Sequence, residues 1–340
     1  KNRIDYHFVA FQNADFFSVD VFSIGRLRHY GIQGFLSHPL SRFQRLDYGV
    51  SWHNINYSIL EKRLDEFNQE RYETTFSSNY STILPNISWV YDNTVFGFTG
   101  PIDGFRQNTS ITLNPGYGSS NLKFQTLKTD ARKYWRFGKD YTLAVRGFFG
   151  TSLGENKQKF FLGGIPFLVG GGGETNGKVD NSHFRDVILD TSNATLVHDI
   201  YFTEYASPLR GARFAERFGT NATLINMEIR FPFINYLALG FPLKMIFGNI
   251  RGHAFMDVGA AWDEAEEFTN TSWPGRYWVE DQNKNLIPPT LLDFSPWVTT
   301  VGLGTKINLG YFLLRIETAW DKNPNGYSKP QWYFSLGPDW

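Results

Sequence analysis

Thr223-Leu224-Ile225-Asn226-Met227-Glu228-Ile229-Arg230-Phe231 changes chemistry at almost every step. Ile225, Met227, Ile229 and Phe231 are apolar, and Asn226, Glu228 and Arg230 between them are polar or charged. A repeat of two belongs to an extended strand, whose successive side chains leave opposite faces. A helix would scatter both sets around its circumference. One face of this strand suits oil. The other carries charges at successive positions, which would be very costly in a dry sandwich core. A wall between lipid and a polar, water-filled lumen satisfies both faces.

The same alternation recurs along the chain. In 297–309, Trp297, Thr299, Val301, Leu303 and Ile307 oppose Gly302, Gly304, Lys306 and Asn308. In 311–320, Phe312, Leu314, Ile316 and Trp320 oppose Arg315 and Glu317. In the last strand Trp332, Phe334 and Leu336 oppose Gln331, Tyr333 and Ser335. Segment 253–262 sets Ala254, Met256, Val258 and Trp262 against His253 and Asp257. Segments 127–136 and 141–149 add the inward charges Lys128, Asp130, Arg132, Arg136 and Arg146. The N-terminal third reads as strands near 4–12, 15–25, 27–38, 43–59 and 73–92, then 105–114. The expected fold is all-β, a transmembrane antiparallel barrel of about thirteen strands over 1–340. A single-chain bacterial barrel has an even number. The odd count points to a misread strand or to strands upstream of Lys1.

Composition agrees. Aromatics make up 17% of the 340 residues, yet the mean hydropathy is −0.33. Alternating strands average out hydropathy while aromatic girdles keep the ring count high. No run of ~20 apolar residues exists for a membrane helix; Ile234 to Gly248 is interrupted by Asn235, Gly240, Pro242 and Lys244. Lys+Arg and Asp+Glu are equal at 33 each, which argues against a nucleic-acid partner. With no cysteine, disulfides, thiolate metal sites and a Cys nucleophile are excluded. No leader is visible at Lys1, as expected if one was removed or if the sequence starts inside a longer protein.

Short turns are expected at Pro101–Gly104, Arg136–Asp140, Phe233–Gly240 and Asn308–Tyr311. Long polar loops are expected at 152–221, 263–296 and 321–330. Short turns at one end and long loops at the other is the outer-membrane arrangement, with the long loops outside the cell. Deep in the longest loop stands Leu209-Arg210-Gly211-Ala212-Arg213-Phe214. If its tip folds into the lumen, Arg210 can pair with the inward Asp257 or Glu228, because a guanidinium forks well onto a carboxylate. The other reading is an exposed arginine on a free loop.

These residues resemble the BamA/TamA outer-membrane assembly superfamily, the bacterial surface antigen barrels. The Arg-Gly-aromatic element of the family's sixth extracellular loop is similar to Leu209–Phe214. Its Phe-x-Asp-x-Gly strand motif is similar to Phe255-Met256-Asp257-Val258-Gly259. Further likenesses are Phe160-Phe161-Leu162-Gly163-Gly164, Asn226 to Pro232, His38 to Phe43 and Asp92 to Pro101. Several are closest to a subgroup whose barrel follows a periplasmic TolB-like propeller. The resemblance implies a sixteen-stranded barrel, aligned here from near the fourth strand, with strands one to three and any POTRA or propeller domain outside this sequence. It implies that Arg210, Gly211 and Phe214 form a lumen-loop motif held by Asp257 and Glu228, with Phe255 and Gly259 on the wall. It implies a C-terminal strand signature at Phe334, Leu336 and Trp340, with Trp where Phe is usual. Gly170 to Gly173 and the stretch to Asp199 look like an insertion.

The function implied is insertion or translocation of polypeptides through a lateral seam; the alternative is a passive channel or structural barrel subunit. Expected partners are the bilayer and lipopolysaccharide, a periplasmic accessory or propeller domain, and other outer-membrane proteins. No cofactor and no metal is expected, since the seven His residues show no i, i+4 pairing with Glu. An enzyme is not expected either. Gly150-Thr151-Ser152-Leu153-Gly154 fits a nucleophile elbow in spelling, but that motif needs a strand-to-helix turn. Trp89, Trp135, Trp262, Trp297, Trp320 and Trp332 are expected at the membrane interfaces rather than at a sugar site.

Overall fold

The computed structural model describes residues 4–18, 23–64, 70–118, 122–138, 140–164, 204–206, 208–212, 217–239, 245–265, 279–280, 286–287, 297–309, 312–323, 326–328 and 330–337. Twelve strands make the wall: β1 (Asp5–Ser18), β2 (Ser23–Pro39), β3 (Gln44–Leu64), β4 (Glu70–Asp92), β6 (Gly100–Pro115), β7 (Lys123–Phe137), β8 (Tyr141–Gly154), β12 (Asn221–Leu239), β13 (Met245–Trp262), β16 (Trp297–Asn308), β17 (Leu313–Asn323) and β19 (Gln331–Gly337). Each pairs antiparallel with its neighbour in that order. The short strands β5 (Val95–Gly97) and β18 (Gly326–Tyr327) bring the sheet to 14. Three more, β9 (Phe160–Leu162), β10 (Glu204–Ala206) and β11 (Arg217–Gly219), form a small sheet within the longest loop, and β14 (Val279–Glu280) pairs with β15 (Leu286–Ile287).

The exposure pattern inverts that of a soluble core. On β12, Met227 is 40% and Ile229 48% exposed, while Asn226 and Glu228 are 0% exposed. Lys306, Glu317 and Tyr333 are buried on β16, β17 and β19, and Leu303, Phe334 and Leu336 are exposed beside them. Apolar side chains outside and charges inside define a transmembrane barrel wall.

The six tryptophans expected at the interfaces share the outer face and fall at its two ends. Trp89 and Trp135 lie towards the short turns, and Trp262, Trp297, Trp320 and Trp332 towards the long loops. Two belts of amphipathic rings are what two membrane interfaces select. β3 and β4, with 21 and 23 residues, far exceed the ~10 residues that cross a bilayer. On the outer face of β3, exposed Tyr48, Val50 and Trp52 are followed by Asn54, Asn56 and Ser58. The outer face of β3 thus turns polar towards the long-loop end.

Some boundaries differ from the sequence reading. The N-terminal segments read as three strands are the two long strands β1 and β2. Pro101–Gly104 is strand, because the turn falls earlier, at Phe98 and Thr99, after Val95–Gly97 folds back on β6. Phe233 to Leu239 continues β12 after a register shift between Pro232 and Ile234. Pro232 has no N–H to give, and a bulge absorbs the lost ladder bond. The reversals between β7 and β8 and between β16 and β17 fall where expected. Gly150–Gly154 completes β8, where the Ser152 hydroxyl accepts the Gln158 N–H at 2.8 Å. Phe214, the Gly170–Gly173 run, Pro338 and Trp340 lie outside the described residues.

The inversion is testable at Ile229, in the middle of the lipid-facing row of β12. Ile229→Lys should lower the folding free energy into lipid vesicles by roughly 2–4 kcal/mol, the cost of a cation near the bilayer midplane. Denaturant titration of refolded barrel measures it; a change within error would remove Ile229 from the lipid.

Candidate functional site

The described parts of the loop between β8 and β12 sit against the inner wall. β9 is flanked by β10 in parallel and β11 antiparallel. Phe160, Leu162, Ala206 and Leu209 pack with Ala222 and Leu224 of β12, Ala261 of β13 and Val298 of β16. Small residues on the wall make room for large ones from the loop. A Cβ on Gly150 would lie 2.5 Å from the Phe160 ring, and one on Gly259 would lie 2.9–3.0 Å from Leu162 and Leu209.

This apolar anchor delivers the loop tip to a charged cluster. Pro208 O accepts the Asn226 amide at 2.9 Å, and Leu209 N–H donates to Gly163 O at 2.9 Å. Arg210 is 2% exposed. Its Nε donates to Asp257 Oδ2 and its Nη2 to Oδ1, each at 2.9 Å, and its backbone N–H reaches Oδ2 at 3.1 Å. Nη1 donates to Glu228 Oε2 and Glu317 Oε1, both at 3.0 Å. The guanidinium carbon lies 3.5 Å from the centroid of the Phe255 ring. One side chain thus ties β12, β13 and β17 together. Gly211 extends the tie to β19, donating its N–H to Tyr333 Oη at 2.8 Å. Its φ is +94° and a Cβ there would lie 2.9 Å from Ala319 Cβ, so only glycine fits this turn.

The Phe-x-Asp-x-Gly motif now has a physical account. Phe255, Asp257 and Gly259 are three successive inward positions on one strand. The first stacks on the guanidinium, the second accepts its fork, and the third leaves space for Leu162 and Leu209.

The cluster is charge-balanced. Glu228 Oε1 also accepts Lys306 Nζ and Arg230 Nε, each at 2.6 Å. Glu317 Oε1 lies 2.8 Å from His253 Nε2. Arg230 donates onward to Pro101 O at 2.8 Å, across the lumen to β6. Arg210, Arg230 and Lys306 therefore meet Asp257, Glu228 and Glu317. Charges taken out of water are tolerable only when they are paired. Glu228, His253 and Glu317 bring possible metal-ligand atoms within 4.8 Å of one another. Arg210, Lys306 and Arg230 already meet those carboxylates, so a metal ion would have to displace protein cations. The arrangement holds a loop.

Of the residues expected here, Arg210, Gly211, Asp257, Glu228, Phe255 and Gly259 come together. Phe334 and Leu336 lie apart, exposed on the outer face of β19. The sequence reading did not assign Glu317, Lys306, Arg230, His253, Asn226 or Tyr333 to the site. Alternation places all six in the lumen, but only the register brings them to one level. His253 faces Gly304 across β13 and β16, and Gly304 faces Glu317 across β16 and β17.

Arg210→Ala should destabilise the loop and its wall contacts by about 3–5 kcal/mol, because it leaves buried carboxylates short of countercharge. Arg210→Lys should recover only part of this, since an ammonium cannot fork onto Asp257 while stacking on Phe255. Gly259→Val should expel the loop by overpacking while leaving every charge in place. Limited proteolysis of the loop and the unfolding midpoint check all three; a protease-resistant loop in Gly259→Val would contradict the packing account.

The Omp85 superfamily domain matches residues 8–340 of the chain. No curated protein matches it by sequence. Among solved structures, BamA from Haemophilus ducreyi lacking POTRA domains 1-3 is similar at a TM-score of 0.57 with 14% identity, covering 98% of this chain and 59% of that one. CdiB from Acinetobacter baumannii has a TM-score of 0.45 with 12% identity, covering 98% of this chain and 46% of that one. The chain thus spans less than two thirds of either protein. The barrel wall, the inward loop and a family domain matched over nearly the whole length lead to one assignment: the chain belongs to the Omp85 superfamily, a family of outer-membrane barrels.

Proposed function

We propose that this barrel inserts or translocates polypeptides at the outer membrane, using a strand edge of its wall rather than an open central pore. The observation that carries the reading is the Arg210 lock. Its hydrogen bonds, with that of Gly211, engage β12, β13, β17 and β19. A loop held this way occupies the lumen and braces the wall. The way in for a substrate strand is then an edge. β19 pairs with Leu313–Ala319 of β17 over seven residues, and its other edge carries no ladder among the described residues. An unpaired edge offers N–H and C=O groups to an incoming strand, as in β-augmentation.

In this reading 152–221 is the lumen loop and 263–296 an extracellular loop. A periplasmic accessory or propeller domain presents substrate, and lipopolysaccharide and phospholipid surround the wall.

The chain has no cysteine, so Ser335→Cys on β19 gives a single reporter. A substrate barrel with a cysteine in its own terminal strand should cross-link to it during assembly. Arg210→Ala should reduce the cross-link several-fold and raise conductance in planar bilayers above a small, flickering wild-type level. A large steady pore in the wild type, or no cross-link during active assembly, would overturn the proposal in favour of a passive channel.

A further inference from the structure

At the short-turn end, the hairpin between β4 and β6 leaves the wall. β4 and β6 pair as far as Asp92 and Arg106, and β6 and β7 as far as Gly104 and Tyr134. Beyond those points, among the described residues, Val95–Gly97 pairs with Gly100, Pro101 and Asp103 and with nothing in the wall. Backbone that only glycine adopts easily makes the exit. Gly104 has a φ of +105°, and a Cβ there would lie 2.6 Å from Asn93 O and 2.8 Å from Thr94 Cα. Gly100 has a φ of 128°, and the register shifts between Val95 and Phe96. Asn93 fastens the base. Its N–H donates to Phe105 O at 3.1 Å, and its Oδ1 accepts the Phe105 N–H at 2.7 Å.

The hairpin runs across the lumen to the far wall. Pro101 is buried, and its carbonyl accepts Nη1 of Arg230 from β12 at 2.8 Å. Phe98 O accepts the side-chain amide of Asn308 from β16 at 2.5 Å. Arg230 and Asn308 both stand at inward positions. From β6 to β16 the wall takes five strand steps, roughly 24 Å at ~4.8 Å per step. One hairpin that touches both strands is a chord across the mouth. Its latch also meets the lock. Glu228 Oε1 accepts Arg230 Nε at 2.6 Å, and Oε2 accepts Arg210 Nη1 at 3.0 Å.

We infer that residues 94–103 form a lid over the short-turn mouth of the lumen, latched by Arg230 and Asn308. The lumen is then closed at two levels, by the loop and by the lid, and both are fastened to the two oxygens of one carboxylate. Opening the lid breaks no ladder bond of the wall, because the hairpin pairs with itself. Asn93 and Gly104 are where it would hinge. The inference concerns closure of the lumen and does not rest on the route proposed for a substrate.

The test uses the full chain in planar bilayers. Deleting residues 95–102 removes the lid and leaves Asn93, Thr94, Asp103 and Gly104 as a short turn. With Arg210 intact the loop still fills the lumen, so this deletion should change conductance less than twofold. In the Arg210→Ala background it should raise conductance at least fivefold over Arg210→Ala alone. A second variant needs no deletion. The chain has no cysteine, so Phe98→Cys/Asn308→Cys in the Arg210→Ala background can be joined by a short, reductant-cleavable thiol cross-linker. Joining should cut conductance at least fivefold, and reductant should restore it. Heat-modifiability on gels verifies that each variant is folded. Equal conductance with and without the lid in the Arg210→Ala background would overturn the inference, as would equal conductance of the joined and cleaved protein. Failure of the two thiols to join would overturn the placement of the hairpin against β16. A fivefold rise on lid deletion with Arg210 intact would overturn closure at two levels.

Discussion

A guanidinium sealed from water must find its countercharges within the protein, and the described half of this barrel beyond β8 is arranged around that requirement. Arg210 reaches the lumen on a loop, yet its partners come from three wall strands that are adjacent only because the barrel register makes them so. Remove any one carboxylate and a buried cation is undercompensated; remove Arg210 and three carboxylates share too little positive charge. The geometry is therefore mutually enforced. The loop fixes the relative level of the strands, and the strands fix the loop.

Charge alone could not deliver the loop tip. Ion pairs are directional but weakly worth having once desolvation is counted. The approach is secured by the apolar cluster of Phe160, Leu162 and Leu209 against Ala222, Leu224, Ala261 and Val298, a dry seal beside the polar lock. Gly150 and Gly259 belong to that seal, since a methyl group at either would occupy space the loop already fills. Tight packing rewards fit and punishes even small additions. The apolar contacts thus decide whether the loop enters, and the charged ones decide where it stops.

The wall was legible in the sequence because strand period and lipid contact leave a signature in every pair of residues. Ile229 beside Glu228, or Phe334 beside Tyr333, tells which side faces oil without knowledge of any neighbour. The lock was only half legible. Asp257 and Glu228 could be named from alternation and from the family motif. Glu317 and Lys306 obey the same alternation, but so do Arg315 and Asn308. What separates them is the stagger between strands, a property of the hydrogen-bonded ladder. Boundaries failed where a strong local cue lost to the ladder. Pro101 and Gly104 look like a turn, and Pro232 looks like an ending, yet long antiparallel pairing carries the strand through both, with a bulge after Pro232. Tyr333 was invisible as a partner because its role depends on the backbone N–H of Gly211, which no side-chain pattern announces.

Two neighbouring regions of one inner wall differ in how far their charges are sealed from water. Around Arg210 every cation meets a carboxylate, and the groups are nearly closed to water. Along β6–β8, Arg106 and Arg132 stand opposite one another and remain partly wet, with Arg146 buried beside them. A structural network gains from neutrality, because residual charge in a dry site costs free energy with no return. Where water still reaches the charges, it screens their repulsion, so like charges can stand opposite one another. Lumen charge in this barrel is thus sorted by burial: closely interlocked where it is sealed, more loosely paired where water still reaches it.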